Sequence, residues 1–272
     1  MKELWIRVLM SFWGIPLILG LSYFGGYFFL LLVTVINGFA LWEFYTIYSH
    51  RSIFAHRNAG VILASVFLIT IYFLPIHLLL SAVLITLLLF FLRHLRVTQP
   101  LPSTNTVFTI SGFIYITLFL ATLLKLRQNF AEWTHPGDLY SGGRFIILLF
   151  ISIWICDTMA YFGGRLLGRH KFAPNTSPNK TIEGALFGLA GAVLVFVLLG
   201  PLLAGHLSQW YFWICGLIVG IFGQLGDLVE SRFKRDAGVK DTSTLLPGHG
   251  GFLDRFDSLI FVSPFFFLLF YH

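Results

Sequence analysis

Six of the 12 acidic residues in this chain fall in one short stretch: Asp227, Glu230, Asp236, Asp241, Asp254 and Asp257. Asp227, Glu230 and Ser231 stand at i, i+3 and i+4, so on a helix they share one face, with Gln224 one turn earlier. A carboxylate inside an apolar span costs roughly 2.5–3.5 kcal/mol on insertion scales, which calls for a metal or a cationic partner. The plainer alternative is a helix end paired with Lys234 or Arg235. The run Arg232-Phe233-Lys234-Arg235, followed by Lys240-Asp241, suits a polyphosphate, and equally suits a helix anchored at the headgroup layer.

The string Leu246-Pro247-Gly248-His249-Gly250-Gly251-Phe252-Leu253-Asp254-Arg255-Phe256-Asp257 is the most specific in the chain. Glycines around His249 let backbone N–H groups approach phosphate oxygens closely. Asp254 and Asp257, three residues apart, suit a hard, oxygen-ligated cation such as Mg2+. Arg255 can offset negative charge on a leaving pyrophosphate. A tight turn into a helix explains the glycines but not the His, the two acids and the Arg. A second polar loop, Ser177-Pro178-Asn179-Lys180-Thr181-Ile182-Glu183-Gly184, opens a helix. Thr181 and Glu183 fit ordinary helix-start roles there, and Lys180 fits either that setting or a phosphate. Asp157 is one more acid in an otherwise apolar segment.

The elements that must position these groups are membrane helices. Of the 272 residues 57% are hydrophobic and only 11% charged, with a mean hydropathy of +0.83, against about 25% charged in ordinary soluble domains. Stretches near the ~20 residues of a bilayer-crossing helix occur nine times: 8–25, 27–48, 58–75, 77–96, 107–126, 144–166, 183–205, 209–230 and 258–271. The first reads as a retained helix, since no small-residue cleavage site follows it. Threading nine spans puts 15 of the 18 Lys and Arg residues on the N-terminal side; only Lys125, Arg127 and Arg144 fall opposite. That bias places the N-terminus and both motif loops in the cytoplasm and the C-terminus outside. The net charge of +6 then fits anionic lipid headgroups better than nucleic acid. Cys156 and Cys215 lie in apolar runs and predict no disulfide. No internal repeat is evident, which removes the main sequence support for a transporter built from duplicated halves.

Taken together the strings resemble the phosphatidate cytidylyltransferase family, the CDP-diacylglycerol synthases. Ser231 to Asp241 resembles the first part of that family's signature, and Leu246 to Gly251 with Asp254, Arg255 and Asp257 the second. The Ser177 and Asp157 strings are also similar to family patterns. The resemblance covers roughly residues 150–265; Gln224 departs from it where some relatives are expected to carry an acid. It implies an all-α, polytopic membrane fold, with N-terminal helices over 1–142 and a catalytic region over 143–272. It also implies a homodimer and Mg2+-dependent transfer of CMP from CTP to phosphatidic acid. In that chemistry Asp227, Asp254 and Asp257 hold metal, while Lys234, Arg235, His249 and Arg255 act on the phosphates. Ser177, Lys180, Thr181, Glu183, Ser231, Lys240, Asp241, Gly250 and Gly251 contact substrate. The rival readings are a CTP-dependent lipid-alcohol kinase and a membrane transporter.

Overall fold

In a computed structural model of the chain, residues 2–96, 98, 100–243, 245 and 250–271 are described, with backbone alone for 2–11 and for His50. The helices are α1 (Lys2–Phe24), α2 (Gly26–Ile47), α3 (Arg57–Phe73), α4 (Leu79–His94), α5 (Pro102–Gly112) and α6 (Phe119–Thr134). They continue as α7 (Ser141–Leu167), α8 (Ile182–Leu203), α9 (Gln209–Ile218), α10 (Gln224–Ala237) and α11 (Leu253–Phe270). Short π-helical stretches join α5 to α6 and α9 to α10, giving continuous rods over Pro102–Thr134 and Gln209–Ala237.

Every apolar segment expected from the sequence coincides with a rod, yet among the described residues six are long and apolar enough to cross a membrane. The apolar parts of α1 (Phe12–Phe24) and α3 are shorter, and α11 carries Asp254, Arg255 and Asp257 near its start. Two rods also outrun their expected ends: the eighth continues to Ala237, so the Arg232–Arg235 run lies within a helix. The polar segment after α7 is more than a loop. Strands β1 (Lys171–Ala173) and β2 (Ser177–Thr181) form an antiparallel hairpin that pairs Lys171 with Thr181 and Ala173 with Ser177.

Two packing devices set the positions of the helices that follow. Helices α7 and α8 approach closely at Gly184 and Gly188, where an added Cβ would come 2.7 Å from Ala160 O and 3.0 Å from Cys156 O. Small residues four apart allow such contact, which supplies dispersion energy where lipid offers no hydrophobic drive. The second device uses the three bases that break the charge bias. Lys125 Nζ donates to Leu74 O at 2.8 Å, Arg127 to Ser22 O and Tyr23 O at 3.0 and 2.9 Å, and Arg144 Nε to Leu203 O at 2.8 Å. Each serves the carbonyls at a helix C-terminus, which have no partner within their own helix. One large hydrophobic core, including Phe29 and Phe44 of α2 and Phe145, Phe196 and Phe266 of later helices, runs through both parts of the chain, and a small second cluster holds Ile47, Tyr48 and Ala237. Cys156 and Cys215 are buried and unpaired with each other.

Candidate active site

The hairpin and helices α7, α8, α10 and α11 enclose a cavity of about 610 Å³. Three carboxylates meet there. Asp227 and Glu230 come from α10 and Asp257 from α11, and each offers an oxygen within 4.8 Å of the others. Asp227 and Glu230 share a face because they stand three residues apart on a helix; Asp257 reaches them because α11 packs along α10. Lys180, at the hairpin's end, pairs with Asp227 at 2.6 Å, and Ser231 Oγ donates to Asp227 Oδ1 at 3.2 Å. Asp157 and Arg255 also line the cavity.

Glu230 is almost wholly buried. One of its oxygens takes an ion pair from Lys234 at 2.5 Å, and the other, Oε1, is buried with no hydrogen-bond partner among the described residues. A buried acceptor left unsatisfied costs about 1–3 kcal/mol, more when charged. This orphan oxygen, close to two more carboxylates, fits a hard divalent cation with oxygen ligands.

Asp254, paired with Asp257 by sequence spacing, is not among those three, and its carboxyl meets that of Glu230. Its Oδ1 accepts from Lys234 Nζ at 2.7 Å, and its Oδ2 accepts from Gly251 N at 2.9 Å and from Thr242 N and Oγ1 at 3.2 and 3.0 Å. Lys234 thus bridges Glu230 and Asp254, and Asp254 ties the glycine turn to the residues after α10. Gly250 adopts φ +80° in that turn, and a Cβ on Gly251 would fall 1.9 Å from Thr242 Oγ1. Glycine is therefore dictated at both positions by conformation and space.

Other residues singled out by sequence have local duties. Thr181 Oγ1 caps α8, accepting from Gly184 N at 3.1 Å. Glu183 turns away to the hairpin, accepting from the backbone N–H groups of Arg169 and His170 and pairing with the His170 ring at 2.6 Å. Ser177 belongs to β2. Arg235 donates to Thr176 O at 3.3 Å, steadying the hairpin. Lys240 and Asp241 are exposed and outside the cavity lining. His249 lies outside the described residues. Gln224 lines the cavity and donates through Nε2 to Ala185 O at 3.0 Å and Gly220 O at 2.6 Å. A carboxylate there could not donate, so the amide suits a π-helical segment whose carbonyls lack the regular partner.

Glu43 is the residue the sequence reading missed. It sits in α2, 2% exposed, and accepts from Thr242 Oγ1 (3.0 Å), Ser243 Oγ (2.5 Å), Phe252 N (3.0 Å) and Leu253 N (2.8 Å). It therefore caps the start of α11 and holds the motif loop from a distant part of the chain. The available signal was a lone acid within an apolar span.

Comparison with known proteins gives the family. A model of the cytidylyltransferase family matches residues 5–272. A phosphatidate cytidylyltransferase from Staphylococcus epidermidis is 50% identical over 123 residues, covering 45% of this chain and 47% of that protein. One from Synechocystis sp. is 47% identical over 138 residues, covering 49% of this chain and 45% of that protein. The chain spans about half the length of the curated relatives it matches.

Proposed function

The chain belongs to the cytidylyltransferase family, and we propose that it transfers CMP from CTP to phosphatidic acid, giving CDP-diacylglycerol and pyrophosphate. The observation that carries the proposal is the cavity in which Asp227, Glu230 and Asp257 converge beside Lys180 and Arg255, in a chain made of apolar helices. A phosphate oxygen of phosphatidic acid attacks the α-phosphorus of CTP. As that P–O bond forms, the bond to the bridging oxygen of the β-phosphate breaks, and pyrophosphate leaves with the electron pair. The nucleophile is already anionic, so alignment and charge neutralisation suffice and no strong base is required.

Asp227, Glu230 and Asp257 would hold Mg2+, which when bound would neutralise charge on the polyphosphate. Lys180 and Arg255, on the cavity wall, would steady phosphate oxygens. Lys234, locked between Glu230 and Asp254, positions those acids rather than meeting substrate directly. The purified protein given CTP, phosphatidic acid and Mg2+ is expected to release pyrophosphate and form CDP-diacylglycerol. Transfer of a single phosphate to a lipid alcohol instead would overturn the reading in favour of a kinase.

We extend the proposal to orientation, with the N-terminus and the cavity in the cytoplasm, nine crossings, and the C-terminus outside. The 15 to 3 division of Lys and Arg supports it, as does the use of the three outlying bases on helix ends. Cysteines replacing Ser52 and Ser177 should resist an impermeant reagent added to intact cells, and one replacing Ser208 should react. Labelling of Ser177→Cys from outside would reverse the orientation.

A further inference from the structure

A second cavity, about 330 Å³, opens at the basic end of the bundle where the end of α2 meets the start of α3 and the end of α4. Its lining includes Arg57, Arg93 and His56 and, among the described residues, no carboxylate. Neutral groups hold Arg57 in place: its Cζ lies 3.9 Å from the Trp42 ring centroid, and Nη1 donates to Thr46 Oγ1 at 3.3 Å. Arg93 lines the same cavity, and its side chain forms no ion pair or hydrogen bond among the described residues. The facing titratable groups are basic as well: His56 and His94 both contact the Thr106 hydroxyl, at 3.2 and 3.0 Å. Two fixed or available guanidinium groups with no acid opposite them leave a concentrated positive charge.

An apolar groove of about 270 Å³ lies deeper between the same two helices, bounded by Leu63 and Leu89 at one end and by Leu74 and Leu78 at the other. Leu63 follows Ala59, and Leu89 precedes Arg93, by about one helical turn, so the groove begins roughly 6 Å below the basic cavity. From Leu63 to Leu74 it runs about 16 Å at ~1.5 Å per residue, close to half of a ~30 Å hydrocarbon core. It is open to lipid, since Val66 and Ile85 on its walls are 54% and 59% exposed. The segment holding α4 has the smallest buried share of the six long apolar rods, 17%.

We propose that these two features form one binding site for an anionic glycerophospholipid, separate from the catalytic cavity. Its phosphate lies against Arg57 and Arg93, and one acyl chain fills the groove between α3 and α4. Charge selects the headgroup, because a zwitterionic lipid brings its own cation where the protein already has an excess. Groove length and polarity select a lipid over a free anion, since inorganic phosphate would satisfy the arginines and leave the groove unfilled. Bound lipid would hold the thinly packed α4 to α3 and the bundle. The site does not depend on the reaction proposed above.

Native mass spectrometry of the full chain in detergent tests it, with dioleoylphosphatidylglycerol as the probe. The wild type should retain the probe on the order of 30-fold more tightly than an Arg57→Gln/Arg93→Gln variant, from about 1 kcal/mol per basic residue near anionic lipid. Thr70→Phe, which fills the exposed groove and keeps both arginines, should also weaken retention. Arg57→Lys/Arg93→Lys should recover part of it, separating charge from folding. Dioleoylphosphatidylcholine should discriminate little among these variants. Equal retention of the probe by all variants would overturn the site. Displacement of the probe by millimolar inorganic phosphate alone would reduce it to an anion site, and protection of the groove by a second copy of the chain would reassign it as an interface.

Discussion

Replacing Asp257 with Asn is expected to lower turnover of CTP and phosphatidic acid by on the order of 100-fold or more, with the fold preserved. Asp257 is buried, and its Oδ1 accepts from Ser258 N at 2.6 Å, a bond that an Asn carbonyl oxygen retains. What the substitution removes is one of three converging carboxylates, and a neutral amide oxygen is a poor substitute for charge at a Mg2+ site. Asp227→Asn should behave alike, with a smaller structural margin because Lys180 loses its ion pair. Asp254→Asn is the informative contrast. Its oxygens serve Lys234, Gly251 and Thr242, so its loss should loosen the motif loop and lower stability while leaving the Mg2+ concentration for half-maximal activity unchanged. The measurement is turnover against Mg2+ concentration for the three variants. Near-normal turnover and unchanged Mg2+ dependence in Asp257→Asn would remove the metal role, and a shifted Mg2+ dependence in Asp254→Asn alone would return it to the pair read from sequence spacing.

Glu43→Ala is expected to destabilise the protein by roughly 3–5 kcal/mol, since it strands several buried donors and each unsatisfied group costs about 1–3 kcal/mol before relaxation or water entry. The carboxylate meets the N–H groups of Phe252 and Leu253, which start α11, and the hydroxyls of Thr242 and Ser243. A negative group at a helix start is favoured both by those unpartnered N–H groups and by the helix dipole. Gln in its place keeps one acceptor and turns an NH2 toward donors, so Glu43→Gln should fall between the two. Thermal unfolding in detergent reads the effect, and activity should fall with it because Asp254 and Asp257 ride on α11. An Ala variant that melts with the wild type would show that the loop is held without Glu43.

Local spacing brought out several residues that share the cavity. Asp227 and Glu230 on one helix face, Lys180 beside the start of α8, and Arg255 next to the paired acids all line the same cavity. Local spacing pairs Asp254 with Asp257, whereas the three carboxylates whose oxygens meet are those of Asp227, Glu230 and Asp257. An i, i+3 interval puts two side chains near one helix surface but says nothing of what opposes each, and here Lys234 and Thr242 face one acid while Asp227 faces the other's side of the cavity. The basic run divides for a similar reason: Lys234 is nearly buried between two acids, whereas Arg235, its neighbour in sequence, is exposed and reaches the hairpin.

The sequence by itself determined the all-α, multi-pass membrane architecture and the family of the chain. Apolar length, charge exclusion and helical periodicity are properties of short segments, and the bilayer acts on each segment in turn. Only the tertiary structure decided that Glu43 holds the motif loop and that Glu230 joins the metal-binding candidates. It alone showed Gln224 bracing a π-helical segment, and α3 and α4 sharing a groove beneath two arginines. Each of these depends on which residue lies across a helix interface. Contacts between residues as far apart as Glu43 and Leu253 are fixed by the packing of whole rods, through small-residue approaches such as that of Gly184 in α8 to α7, and no periodicity within one segment encodes them.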